Sequence, residues 1–358
     1  MKAFRTVRFG ILLWAGLLPA MTAAAQDYYA GKKITMVIAS GPGGATDLYA
    51  RLQARHLGAH IPGHPTIIAK NMDGAGGIIA LNYIANQAPG DGTELGATIG
   101  AIPFAPLFAG PEDGGKSIRF DAQKLHWLGS PSPFVGVAVA WHTSPIKNWK
   151  DLKTHQLIVG SSGMGASSTV DAVFLKNLLG LQYHIILGYR SGADVDLAME
   201  RGETQGRANT DWYGLTGRHQ QWLDEHKVLI LYQEGLSRDP TIPATVPLLI
   251  DEVTDPEQHE ILKMKMAVYE AGYPLCAPPG VSGERVALLR KALTATYSDP
   301  EYLADAARAK LGTISMGGEQ LSKLIAEPYA APQAMKQQLR KLLEPQAASI
   351  EGTAATER

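Results

Sequence analysis

The sequence predicts an α/β protein in which short buried strands feed glycine-rich turns and then helices. Three observations predict it. Ile34 to Ala39 is an apolar run without alternation, the pattern of a parallel strand covered on both faces. It enters Ser40-Gly41-Pro42-Gly43-Gly44-Ala45-Thr46-Asp47, after which Leu48, Leu52 and Leu57 recur at roughly helical spacing up to a stop at Gly58. The same strand–turn–helix device returns around Asn71 to Gly77 and around Gly160 to Thr169.

The first device carries the sharpest chemistry. Thr46 or Asp47 can cap the helix, whose first-turn N–H groups lack intrahelical partners and sit at the positive end of its dipole. Such a terminus favours an anion, and the glycines let backbone approach it without an intervening Cβ. A loop that grips a carboxylate and a tight turn that binds nothing both fit this stretch taken alone.

Later elements follow in order. Thr66 to Lys70 reads as a strand entering Asn71-Met72-Asp73-Gly74-Ala75-Gly76-Gly77, with a helix from Ile78 to Asn86. Two such units side by side place two helix N-termini at the sheet edge where open α/β proteins hold ligands. Glu94 to Gly100 reads as another strand, and 110–117 as an exposed turn-rich loop. Val135 to Trp141 and Leu157 to Val159 are strands, the second entering the hydroxyl-rich Gly160–Thr169 turn. Its serines and threonines can donate to a ligand or simply cap the next helix. Ile185 to Leu187, Val228 to Tyr232 and Tyr273 to Gly280 complete the strands, the last ending in a rigid turn. If 204–209 is extended, Gln205, Arg207 and Asn209 share one face. Helices are expected at 194–200, 261–270, 283–298, 320–325 and 334–343, a linker at 242–247, and a disordered tail over 344–358.

At the start of the chain, Lys2, Arg5 and Arg8 precede a short apolar stretch and Ala23-Ala24-Ala25, the layout of a secretory signal cut after Ala25. Removing those 25 of 358 residues leaves 333, enough for two domains, with 30 Lys+Arg against 34 Asp+Glu. This mildly acidic chain has no basic run or aromatic stripe to bind nucleic acid. Its one cysteine, Cys276, excludes an intrachain disulfide and a cysteine-based metal site. The ten histidines form no metal motif, so no metal and no cofactor are expected.

Six motifs, in order over about residues 31–340, resemble the periplasmic solute receptors of tripartite tricarboxylate transporters, the Bug family. They are Pro42-Gly43-Gly44-Ala45-Thr46-Asp47; Asn71 with Gly74-Ala75-Gly76-Gly77; Ala88-Pro89-Gly90-Asp91-Gly92; Ser162-Gly163-Met164-Gly165; Tyr189-Arg190-Ser191-Gly192; and Ala277-Pro278-Pro279-Gly280-Val281. The resemblance implies a type II periplasmic-binding-protein fold, two α/β lobes with a hinge and a ligand cleft. Lobe 1 would comprise 26–134 and 246–343, lobe 2 135–245, with hinges near 131–137 and 238–248. It implies a small organic carboxylate ligand, membrane permease subunits as partners, a periplasmic monomer and no catalysis. Ser40, Gly43, Gly44, Thr46, Asp47, Gly74, Ala75 and Gly76 would hold one carboxylate. Ser161, Ser162, Ser167, Tyr189 and Asn209 would meet the rest of the ligand.

The chain departs from the family pattern at Ala39-Ser40, where a proline is common, and at Ala80, where a glycine is usual. The second-lobe strand, Val-Asp-x-x-x-Asp in the family, reads Thr204 to Asn209 here, so that neutral Asn209 replaces an acid and Arg207 is added. Arg207 or Arg190 could then take a second anionic group on the ligand; surface ion pairs are the plainer role. No Gly-x-Ser-x-Gly elbow or complete dinucleotide fingerprint argues for an enzyme. The rival reading is a ligand sensor that presents its bound form to a membrane signalling partner.

Overall fold

A computed structural model describes residues 28–108, 117–164, 166–189, 191–344 and 350–352. The expected signal segment and its cut after Ala25 lie outside the described residues, as does nearly all of the 110–117 loop.

The strands assemble into two six-stranded sheets, one per lobe. The first orders β1 (Lys33–Ile38), β2 (Thr66–Asn71), β3 (Glu94–Ala97), β4 (His126–Ser130), β10 (Leu275–Ala277) and β11 (Met316–Gly317) as β11-β4-β10-β3-β1-β2. The second orders β5 (Gly136–Trp141), β6 (Leu157–Ser161), β7 (Tyr183–Leu187), β8 (Gly206–Asp211), β9 (Val228–Glu234) and β12 (Ile350–Gly352) as β12-β7-β6-β8-β5-β9. The chain thus leaves the first sheet after Ser130 and enters the second at Gly136. After Glu234 it returns, and β10 inserts antiparallel between β3 and β4.

β1 pairs in parallel with β2 and β3, aligning Ile38 with both Asn71 and Ala97. The three chain segments that leave these strands therefore leave at one edge. β6 likewise pairs in parallel with β7 and β8, aligning Ser161 with Leu187. Parallel neighbours need long crossover connections, and here these are helices: α1 (Ala45–His60), α2 (Ile78–Asn86), α4 (Ser167–Leu179) and α5 (Gly192–Glu200), with α3 (Ala105–Phe108) a single turn. Val159, Ala172, Phe174 and Leu231 pack on one face of the second sheet, and Val137, Val139, Met199, Leu215 and Trp222 on the other.

Several elements went unread in the sequence, among them β4, β11, α3, α6 (Trp212–Asp224) and α9 (Pro300–Arg308). The remaining helices are α7 (Pro256–Glu270), α8 (Gly283–Tyr297), α10 (Gly318–Ala330) and α11 (Gln333–Leu343). The expected disordered tail is corrected at three residues, since Ile350 to Gly352 pair in parallel with Ile185 to Leu187. There β12 satisfies the open edge of β7. α7 spans the lobes: Val268 and Ala271 join the apolar cluster of Val37, Ile84 and Trp127, while Lys265 reaches Asp171 on α4.

Candidate functional site

The two first-lobe glycine loops are fastened into one unit. Asp47, in the first turn of α1, does not cap its own helix as expected; the cap residue is Gly44, with no side-chain bond. Instead the Asp47 carboxylate turns back under the loop and accepts from Gly43 N at 3.0 Å. It also accepts from Arg51 Nε at 2.9 Å and from Asn71 Nδ2 at 2.8 Å. Asn71, the last residue of β2, donates to Ser40 O as well (2.9 Å), and its Oδ1 accepts from Arg51 Nη2 (2.7 Å). Burial works to raise the Asp47 pKa, but the Arg51, Gly43 and Asn71 bonds outweigh it and hold the carboxyl below its ordinary value. Asp47 is thus a fixed, neutralised strut with its oxygens spent. The first-turn amides of α1 remain for a ligand. The buried Ser40 hydroxyl has no partner among the described residues.

The second loop makes a left-handed turn. Gly74, Ala75, Gly76 and Gly77 all have positive φ, of 125°, 47°, 65° and 98°. Ala75 is the one residue there with a Cβ to strain. A Cβ at Gly77 would lie 2.9 Å from Ala39 O and 2.3 Å from Ile102 Cδ1, so glycine alone lets α2 start this close to β1.

In the second lobe most of the hydroxyls hold the loop itself. Thr169 Oγ1 donates to Gly163 O (2.8 Å) and lies 2.7 Å from Ser161 Oγ, and Ser168 Oγ donates to Gly160 O (3.3 Å). Ser161 is buried, Ser162 exposed and Ser167 half-buried at the first turn of α4. The expectation that a hydroxyl caps α4 is corrected, because its cap residue is Ala166. Tyr189 is half-buried at the end of β7; burial, with Glu203 nearby, raises its phenol pKa, leaving a neutral donor.

Arg207 and Asn209 do not share a face, contrary to the alternation expected. The register of β5 on β8 slips between Val137↔Thr210 and Val139↔Arg207, a bulge that places an extra β8 residue opposite β5. Asn209 is fully buried and its Nδ2 bonds Glu234, with Tyr269 OH 3.4 Å away. Arg207 instead bonds Asp196 on α5 at 2.9 Å, a carboxylate that also takes Arg218 Nη2 (3.2 Å) and His219 Nε2 (3.0 Å) from α6. Burial tends to raise the Asp196 pKa, but His219, Arg207 and Arg218 overcome it and hold it far below the ordinary range. Arg190, the other arginine considered, lies outside the described residues.

The acid that closes β8 is Asp211, which the sequence reading missed. It caps α6 by accepting from Gly214 N at 2.6 Å. Counted back from Asp211, the Val-Asp-x-x-x-Asp pattern puts Arg207 at the first acid and leaves Asn209 between the two. An Asp just before a run beginning Trp212 was the legible signal, a helix cap. Asp211 meets lobe 1: Tyr49 of α1 and Tyr273 lie beside it, their rings stacked 4.2 Å apart. Burial pushes the Asp211 carboxyl up to about 6 against the lowering bonds from Gly214 and Tyr273. The end of β8 therefore stands against the first helix of the other lobe, and the two loop-bearing edges adjoin. Also unread was the buried group beneath them, where Lys265 of α7 bonds Asp171 (2.6 Å) and Tyr269 (2.9 Å).

No protein-family model matches the chain. In sequence it is 28% identical over 209 residues to a UPF0065 protein of Bordetella pertussis, covering 57% of this chain and 61% of that protein. The chain thus spans less than two thirds of that relative. Among solved structures, the periplasmic binding protein BugD superposes with a TM-score of 0.68 at 21% identity, over 89% of this chain and all of that one. MatC from Rhodopseudomonas palustris with bound malate gives 0.65 at 19%, over 88% and 99%. A second R. palustris protein, solved with adipate, gives 0.66 at 18%, over 87% and 96%. The chain accordingly has the fold of the Bug-type periplasmic solute receptors and is a sequence relative of the UPF0065 proteins.

Proposed function

We propose that the protein is a periplasmic solute-binding receptor that captures a small organic carboxylate between its lobes and delivers it to the membrane permease of a tripartite tricarboxylate-type transporter. The observation that carries this reading is the paired first-lobe loops, locked to each other by Asp47, Asn71 and Arg51, with the α1 amides and the Ser40 hydroxyl at their rim. Fixed backbone donors at a helix N-terminus favour a carboxylate over a neutral solute. Solved receptors of this fold hold malate and adipate.

In this reading Ser40, Gly43, Gly44, Thr46, Gly74, Ala75 and Gly76 present the carboxylate site, and Asp47 shapes it. Ser162, Ser167 and Tyr189 face the ligand from the second lobe, with Ser161 bracing their loop. Arg207 and Asn209 serve the internal order of lobe 2. The lobes close by hinging at 131–137 and 238–248, and the closed form is what the permease reads. Export follows from a signal cut after Ala25.

A thermal-shift screen of mono-, di- and tricarboxylates on the mature protein tests the reading, because a ligand that binds only the folded form raises apparent stability by mass action. At least one acid should raise the melting temperature in proportion to the logarithm of its concentration. A screen with no such acid overturns the proposal. Deletion of the gene should abolish uptake of that acid; a loss of induction with uptake intact would assign the protein to sensing.

A further inference from the structure

The three glycine devices carry exposed apolar side chains as well as amides. Leu48, Ile79 and Met164 keep 37%, 49% and 47% of their surface exposed, which sets them among the few large apolar side chains so exposed in the described residues. Each belongs to one of the three glycine devices. Leu48 lies in the first turn of α1, its N–H bonded to Gly44 O of the first loop. Ile79 lies in the first turn of α2, and its Cδ1 would be only 2.5 Å from a Cβ at Gly74, so the side chain covers the second loop. Met164 follows Gly163 in the second-lobe loop, which Thr169 Oγ1 pins at Gly163 O.

Single exposed apolar residues are ordinary on a protein surface. Here one falls on each of the three glycine devices. The first two loops are joined through Asn71. The third leaves β6, the neighbour of β8, whose end at Asp211 stands beside Tyr49, the residue after Leu48. Arg207, the guanidinium considered for a second anion, is engaged by Asp196.

We propose that the ligand carries an apolar body next to its carboxylate, an aliphatic chain or an aromatic ring, which Leu48 and Ile79 seat from the first lobe and Met164 covers from the second. This rests on the carboxylate-receptor reading and narrows its substrate class. Methionine suits the covering role, since its flexible thioether adapts to differently shaped apolar surfaces.

Calorimetry on the mature protein with butyrate, hexanoate, octanoate, benzoate, succinate and malate tests the proposal. Affinity should rise about fourfold per methylene along the monocarboxylates, the transfer free energy of one buried CH₂. Benzoate should bind more tightly than malate. Ile79→Ser and Met164→Ser should each flatten the chain-length slope; Met164 sits in an exposed loop, so its variant reports even where the helix variant folds poorly. A flat series, or succinate binding more tightly than butyrate, overturns the apolar class while leaving the carboxylate receptor in place. Failure of every acid, including a wider tricarboxylate panel, removes both. An unchanged slope in both variants together with lost uptake would place Ile79 and Met164 at the permease contact and overturn the proposal.

Discussion

At Asp47 a single carboxylate does what the glycine loops cannot do for themselves. Glycine makes the loops permissive, and permissive backbone is disordered unless something fixes it. Asp47 fixes it through Gly43 N, Asn71 and Arg51. Asp47→Ala should therefore lower unfolding free energy by about 1–3 kcal/mol, the range for leaving charged hydrogen-bond partners unmet, and weaken carboxylate binding at least tenfold, read by urea denaturation and calorimetry. Half of this was legible in the sequence: an Asp and an Arg four apart on a helix read as a pair, whereas Asn71 is brought to them by the β1–β2 register. Asp211 behaves in the opposite sense. Its folded-state pKa of about 6 lies above the ordinary carboxylate value, so it supports the fold fully below pH 4 and loses that support as pH rises through 6. An asparagine can still accept from Gly214 N. Asp211→Asn should thus be more stable than the parent at pH 7.5, by about 1–3 kcal/mol for a shift of this size, and no more stable at pH 4. Equal differences at the two pH values would contradict the assignment.

Among the elements, those with a strong local signal were read from the sequence and those shaped by their neighbours were not. The helix at Ile78–Asn86 starts where the glycine turn before it put it, and β1 and β2 end within a residue of the reading. The strand β8 was read with regular alternation because nothing in Gly206-Arg207-Ala208-Asn209 announces a bulge. The slip arises in pairing with β5, and one extra residue suffices to send Arg207 and Asn209 to different neighbours. The α6 helix was missed because Gly214 and Gly217 weaken its helical signal, and the structure breaks its regularity at His219, with φ −132° and ψ 39°. The turn before α2 offers the sharpest test at this scale. Gly77→Ala places a Cβ at φ +98° against Ala39 O, a backbone oxygen that cannot yield as a side chain can. A loss of about 1–3 kcal/mol is expected from the positive φ and the clash, with binding weakened as the α2 start is pushed from β1. Gly43→Ala has open space around its Cβ and only the φ penalty, so it should cost less in the same denaturation assay.

For the molecule as a whole, the question is what holds two lobes in register while leaving them free to close. Sheet membership divides the chain cleanly, yet α7 belongs to both halves. Its Val268 packs in the first-lobe core, and its Lys265 and Tyr269 meet Asp171 of α4 in the second. Around them Asn209 and Glu234 complete a fully buried polar group with two carboxyls and one ammonium. Burial, then the nearby Asp171 charge, pushes the Glu234 pKa well above its ordinary value, and Lys265 stands as the one ammonium beside the two carboxyls. None of this could be read from the chain, where Lys265 and Asp171 look like ordinary charges on amphipathic helices. Removing one partner of a buried pair costs more than the pair contributes, because the other charge is stranded. Lys265→Met should therefore destabilise the protein by about 3–5 kcal/mol at pH 7.5. Lys265→Met with Asp171→Asn should recover much of the loss at neutral pH. If the double variant is no more stable than Lys265→Met alone, the cost comes from packing of the methionine and the ion pair does not hold the lobes together.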